Sequence, residues 1–136
     1  MMKQNTKQKR ILVVDDDADF LIQMRMTLET AGYHVHTASG RVEAEAFLAG
    51  TRPDLVFLDL MMEEVDGGFA LSYHIKKKDP TVPVVIVSSV QTETGLAFDA
   101  TTDEEKSWIK ADAFLAKPVR FEQMQKVMNT LMKDPA

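Results

Sequence analysis

Short apolar runs alternate with longer amphipathic stretches along most of the chain, and the change of period between them marks the elements. Ile11-Leu12-Val13-Val14, Leu55-Val56-Phe57-Leu58, Val84-Val85-Ile86-Val87 and Phe114-Leu115-Ala116 read as strands, and Tyr33 to Ala38 as a further one. The unbroken apolar character of Val84 to Val87 suits a strand covered on both faces. Between these runs apolar residues recur at three- and four-residue spacing. Leu21, Met24, Leu28 and Ala31 predict a helix that Gly32 stops, and Val42, Ala46 and Ala49 share one face of a second, closed by Gly50 and Pro53. The polar loop Glu63 to Gly68 leads into a third helix, which holds Leu71 and Ile75 and ends at Lys78, ahead of Pro80 and Pro83. Phe121, Met124, Val127, Met128 and Leu131 form the inward stripe of a last helix.

Strands alternating with helices imply a doubly wound α/β fold, because parallel strands need crossover connections and these cross with one hand. Five strands and about five helices fit the length of 136 residues, which suits one domain. Periodicity does not order the strands. An order of 2-1-3-4-5 would put the first and third strands side by side at the switch point, where open sheets bind ligands.

That edge is where the chemistry collects. Asp15 and Asp16 follow the first strand, Asp59 the third, Ser88 the fourth and Lys117 the fifth. Unit charges about 4 Å apart at an effective dielectric near 20 interact by roughly 4 kcal/mol, so clustered carboxylates need a counter-ion. Oxygen donors without Cys or His favour a hard cation, and a site that keeps several waters suits Mg2+. Asp15-Asp16-Asp17 also lacks the twelve-residue spacing and terminal Glu of a calcium loop. Such a cation neutralises charge on an incoming phosphoryl group while a carboxylate attacks it, with Asp59 the candidate nucleophile. Lys117 would pair with a phosphate oxygen as a point charge, and Ser88 would donate a hydrogen bond to another.

Composition narrows the class. The chain is 45% hydrophobic and 27% charged, with a net charge of -5, a balance that argues against direct nucleic acid binding. No cysteine is present, so there is neither a disulfide framework nor a thiolate metal site. No apolar run approaches the roughly 18 residues of a membrane span, and Met1 to Arg10 lacks the apolar core of a signal peptide, so a cytoplasmic location without membrane contact is expected. Residues 1–8 read as a flexible basic tail.

These residues, in this order, resemble a bacterial response regulator receiver domain. Ile-Leu-Val-Val-Asp-Asp supplies its acidic pair, Leu-Val-Phe-Leu-Asp-Leu its phosphoacceptor strand and Phe-Leu-Ala-Lys-Pro its lysine. The likeness spans roughly Lys9 to Leu131. It implies a flavodoxin-like fold over residues 9–133, of which a chemotaxis regulator is a known example. It further implies phosphorylation of Asp59 by a sensor histidine kinase or phosphotransfer protein, and a signalling rather than an enzymatic role. By the same likeness Asp16 and Asp59 hold Mg2+ (with Mn2+ as a substitute), Asp15 acts largely through water, and the backbone carbonyl of Met61 completes the protein ligands. A hydroxyl at Ser88 and an aromatic at Phe114 form the family's switch, which presents an altered surface to a downstream protein, as a monomer or a phosphorylation-linked homodimer.

Two departures stand out. Glu63 occupies a position where the family commonly has proline, and the spacing from Ser88 to Lys117 is longer than usual, which makes residues 91–110 an extended segment. Within it Asp103 to Ala111 reads as a short helix with Trp108 and Ile109 inward. Little chain follows Pro118, so a stand-alone receiver without an output domain is expected.

Blander and rival readings are open to test. Asp17 or Asp19 reads as a helix N-cap, the methionines as core filling, and His34, His36 and His74 as surface or partly buried residues. A flavodoxin would carry a glycine- and hydroxyl-rich phosphate loop where this chain has three aspartates. An aspartate-nucleophile phosphatase would carry a second aspartate where this chain has Met61. The closest alternative is a pseudo-receiver that binds partners without being phosphorylated.

Overall fold

The computed structural model describes residues 9–59, 67–88, 111–117 and 119–132, with the backbone alone at 67–69 and 88. The strands are β1 (Arg10–Val14), β2 (His34–Ala38), β3 (Leu55–Asp59), β4 (Val84–Ser88) and β5 (Ala113–Ala116). The helices are α1 (Ala18–Thr30), α2 (Arg41–Gly50), α3 (Gly67–Lys78) and α4 (Phe121–Leu131). The expected fold is met: the strands form one parallel sheet in the order β2-β1-β3-β4-β5. The tail 1–8 and the proposed helix with Trp108 and Ile109 lie outside the described residues, as does the rest of the 91–110 segment.

The strands are apolar along their length because both faces of the sheet are covered and successive residues take opposite sides. Leu12, Val14, Val56, Leu58, Val84 and Ile86 pack with Ala44 and Leu48 of α2 and Leu71 and Ile75 of α3. The alternate residues Ile11, Val13, Leu55, Phe57, Val85 and Val87 pack with Met24 and Leu28 of α1 and Met124 and Met128 of α4. A one-residue slip in any central strand would exchange these two sets, so burial on both sides locks the register.

Local chemistry sets the element ends. Asp17 is the N-cap of α1, where its carboxylate accepts the N–H groups of Asp19 at 3.0 Å and Phe20 at 3.3 Å. Gly32, at φ 104°, ends that helix, and the N–H groups of Gly32 and Tyr33 reach back to the carbonyls of Glu29 and Leu28, the two bonds of a Schellman closure. At the start of α4, Gln123 accepts the Arg120 N–H through its side chain.

The face that Val42, Ala46 and Ala49 mark on α2 is present, and the structure fixes which way it turns. It is the solvent face, with Val42 81% exposed. The buried positions are Ala44 and Leu48, with Phe47 packed beside them. Alanines satisfy a helical period on either face, and the leucine four residues after Ala44 decides which one turns inward.

At the amino edge of the sheet, Lys76 from α3 donates to the Val82 carbonyl at 2.8 Å and meets Asp112 Oδ2 at 2.6 Å. The same Asp112 oxygen accepts the Val84 N–H at 2.8 Å, while the Asp112 N–H donates to the Val84 carbonyl. This clamp pins the entry of β5 to the entry of β4.

Candidate functional site

Strand register builds the site. Val14 pairs with Leu58, so Asp15 and Asp59 come one step later on neighbouring strands. Ser88 pairs with Ala116, the last residue of β5, which puts Lys117 one step past the strand end. Asp59 continues the alternation of Leu55 and Phe57, and Lys117 that of Ala113 and Leu115, which all belong to the α1/α4 side of the sheet. Topology thus brings Asp15, Asp59 and Lys117 together from three separate segments.

The carboxylates converge. One oxygen each from Asp15, Asp16 and Asp59 lies within 4.8 Å of the others. Asp15 is fully buried and Asp59 nearly so, while Asp16 is open to solvent. Asp15 Oδ1 accepts the Asp17 N–H at 2.9 Å. Its Oδ2 is buried without a hydrogen bond, although Lys117 Nζ lies 2.9 Å away. The ammonium balances the charge of that oxygen at close range. Lys117 Nζ is also 3.9 Å from Asp59 Oδ1.

Burial pushes the Lys117 ammonium toward neutrality, but the contact with Asp15 and the charges of Asp59 and Asp17 outweigh it and hold its pKa above that of an ordinary lysine. It is a permanent cation facing the carboxylates. Three hard oxygen donors, one of them buried and lacking a hydrogen bond, fit a Mg2+ ion that keeps part of its water shell.

Not every expected member can be followed. The Met61 carbonyl, Glu63 and the Ser88 hydroxyl lie outside the described residues; the backbone of Ser88 is the last of β4. Phe114 is half-buried and packs against the core on the α2/α3 side. His34 and His74 are exposed, whereas His36 is partly buried against the Phe47 ring, and burial, followed by the neighbouring His34, lowers its pKa. One residue absent from the sequence reading joins the site: the Phe20 ring centroid lies 4.4 Å from Lys117 Nζ. An aromatic in the first turn after the acidic loop was its only trace.

An open parallel sheet with a lysine-paired acidic pocket at its carboxyl edge defines a class of phosphoacceptor signalling domains. Residues 11–129 match the family described as the response regulator receiver domain, and the chain belongs to that family. It is 30% identical over 124 residues to the DNA-binding dual master transcriptional regulator RpaA of Synechocystis, covering 91% of this chain and 49% of that protein. It is 37% identical over 119 residues to the alginate biosynthesis transcriptional regulatory protein AlgB of Pseudomonas aeruginosa, covering 88% of this chain and 25% of that one. Among solved structures, the response regulator protein TrrA from Thermotoga maritima, in complex with Mg(2+)-BeF, superposes with a TM-score of 0.74 at 25% identity, covering 91% of this chain and 99% of that chain. The chain thus spans half or less of the length of these two curated relatives, which are larger regulators. Among the described residues, no helix is long and apolar enough to cross a membrane.

Proposed function

We propose that this receiver takes a phosphoryl group on Asp59 from a sensor histidine kinase or phosphotransfer protein, in a reaction that requires Mg2+ or Mn2+. A carboxylate oxygen of Asp59 bonds to phosphorus as the bond from phosphorus to the donor nitrogen breaks, and the electron pair leaves with the donor imidazole. The product is an acyl phosphate. Asp16 and Asp59, with Asp15 through water and the Met61 carbonyl, would hold a Mg2+ ion that would supply charge neutralisation for the phosphoryl oxygens. Lys117 pairs with one phosphoryl oxygen and the Ser88 hydroxyl donates to another. Ser88 and Phe114 then shift together and alter the surface that a downstream protein reads.

One observation carries this reading: Asp15, Asp16 and Asp59 each bring a carboxylate oxygen within 4.8 Å of the others, and the Lys117 ammonium lies 2.9 Å from Asp15 and 3.9 Å from Asp59. Such a cluster is strained without cations and gains from an incoming metal, whose charge then offsets that of a phosphoryl group. The test is intact mass after incubation with acetyl phosphate and Mg2+. A gain of one phosphoryl group, lost in Asp59→Asn and without metal, is expected. A folded, Mg2+-binding protein that gains nothing would overturn the reading in favour of a pseudo-receiver that works by contact alone.

A further inference from the structure

We propose that Phe20 is a positioning residue for Lys117: its ring face holds the ammonium beside Asp15 and Asp59, so that a phosphoryl group arriving at Asp59 meets a lysine already in place. This rests on the reading of Asp59 as the acceptor.

Among the described residues, Lys117 Nζ has close neighbours of two kinds. Asp15 Oδ2 at 2.9 Å and Asp59 Oδ1 at 3.9 Å attract it as anions, and the Phe20 ring centroid at 4.4 Å attracts it through the negative face of the ring. Cation–π attraction extends to about 6 Å, so this contact lies well inside its range. A lysine side chain on a four-carbon stem otherwise samples many rotamers. With the ring in place, the stem crosses from β5 toward α1 with its head confined over an aromatic face.

The kind of group matters as much as its place. A carboxylate or amide oxygen in place of the ring face would accept one of the three ammonium protons and compete with the reacting oxygens. A ring attracts the charge without taking a directional hydrogen bond. The donors of Lys117 are thereby left for Asp15, Asp59 and a phosphoryl oxygen. Phe20 is itself held from two sides: its N–H donates to the Asp17 cap at 3.3 Å, and its ring packs against the core on the α1/α4 side. The α1 cap, the ring and the ammonium form a chain of contacts from helix to reacting edge.

Core filling alone would require only an apolar side chain of similar size, so Phe20→Leu and Phe20→Tyr separate the two roles. The Lys117 ε-methylene protons, followed by NMR, are expected to show an upfield ring-current shift in the wild type and in Phe20→Tyr, and to lose it in Phe20→Leu. The rate of phosphoryl gain from acetyl phosphate with Mg2+ is expected to fall about two- to fivefold in Phe20→Leu, the size of a partly exposed cation–π contact, and to be restored in Phe20→Tyr. Absence of the shift in the wild type would overturn the contact itself. Equal rates in Phe20→Leu and wild type, with the shift gone, would overturn the positioning role. Should the leucine variant not fold, Phe20→Met fills the same space without a ring, and the same two readings decide. A wild type that takes no phosphoryl group at all would overturn the acceptor reading instead, and the NMR shift would still report whether the ring holds the ammonium.

Discussion

Replacing Lys117 with methionine keeps the stem and deletes the charge, which isolates what the ammonium does for the carboxylates. Asp15 and Asp59 side chains are 1% and 9% exposed and Lys117 is 22% exposed, so the interaction is only weakly screened by solvent. Unit charges about 4 Å apart attract by roughly 4 kcal/mol at an effective dielectric near 20. Desolvation of the lysine offsets part of this, and removing one partner of a buried pair costs about 3–5 kcal/mol, so the partly exposed ammonium belongs at the lower end, near 3 kcal/mol. With a urea slope of about 2 kcal/mol per molar, the midpoint of Lys117→Met should fall by about 1.5 M in the absence of divalent ions. The same variant should bind Mg2+ more tightly. A unit charge about 4 Å away in water is worth roughly 1 kcal/mol, and twice that against a divalent ion, so the affinity should rise on the order of thirtyfold. Urea melts with and without Mg2+, together with calorimetric titration, read both effects. An unchanged midpoint with unchanged Mg2+ affinity would refute the view of Lys117 as the resident counter-ion of the cluster.

Two further outcomes follow from features away from the reacting atoms. Asp17→Ala removes the acceptor for two N–H groups in the first turn of α1 and should lower stability by about 1 kcal/mol in a urea melt, with no loss expected if the cap is idle. Asp79 is held down to about 2 by hydrogen bonds from the Thr81 hydroxyl, the Arg52 guanidinium and the Thr81 N–H, in that order. A carboxylate depressed in the folded state adds stability above its unfolded pKa and loses it as pH falls through the folded one. The urea midpoint gap between wild type and Asp79→Asn should therefore be full above about pH 4 and close toward pH 2; a gap that is constant with pH would exclude ionisation of Asp79 as its source.

Fold and reacting edge were largely legible because they rest on strong periodic signals. Runs such as Val84 to Val87 have room for one reading only, and a charged residue immediately after such a run must sit at the strand end. Convergence of Asp15 with Asp59 needed the strand order as well, which came from topology and family likeness rather than from periodicity. Legibility failed where residues satisfy two environments. Val42, Ala46 and Ala49 share a face as the spacing implies, but spacing alone left open whether that face meets the core or water, because small side chains are tolerated on either side. The approach of Phe20 to Lys117 joins residues nearly a hundred positions apart through side-chain reach alone, a distance no local pattern encodes. The preference of the ammonium for Asp15, at 2.9 Å, over Asp59, at 3.9 Å, is likewise a matter of an ångström and belongs to packing.

The Lys76–Asp112 clamp has a consequence for how this family can vary. Because β5 is tied to β4 at its first residue, by Asp112 and the Val84 backbone, the placement of Lys117 four residues after Ala113 is decided at the far end of the sheet. The number of residues inserted between Ser88 and that anchor does not enter into it. Closing a longer connection costs little, about 0.6 kcal/mol for each doubling of its length. A change of length in that connection would therefore leave Lys117 at the same place on the carboxyl edge.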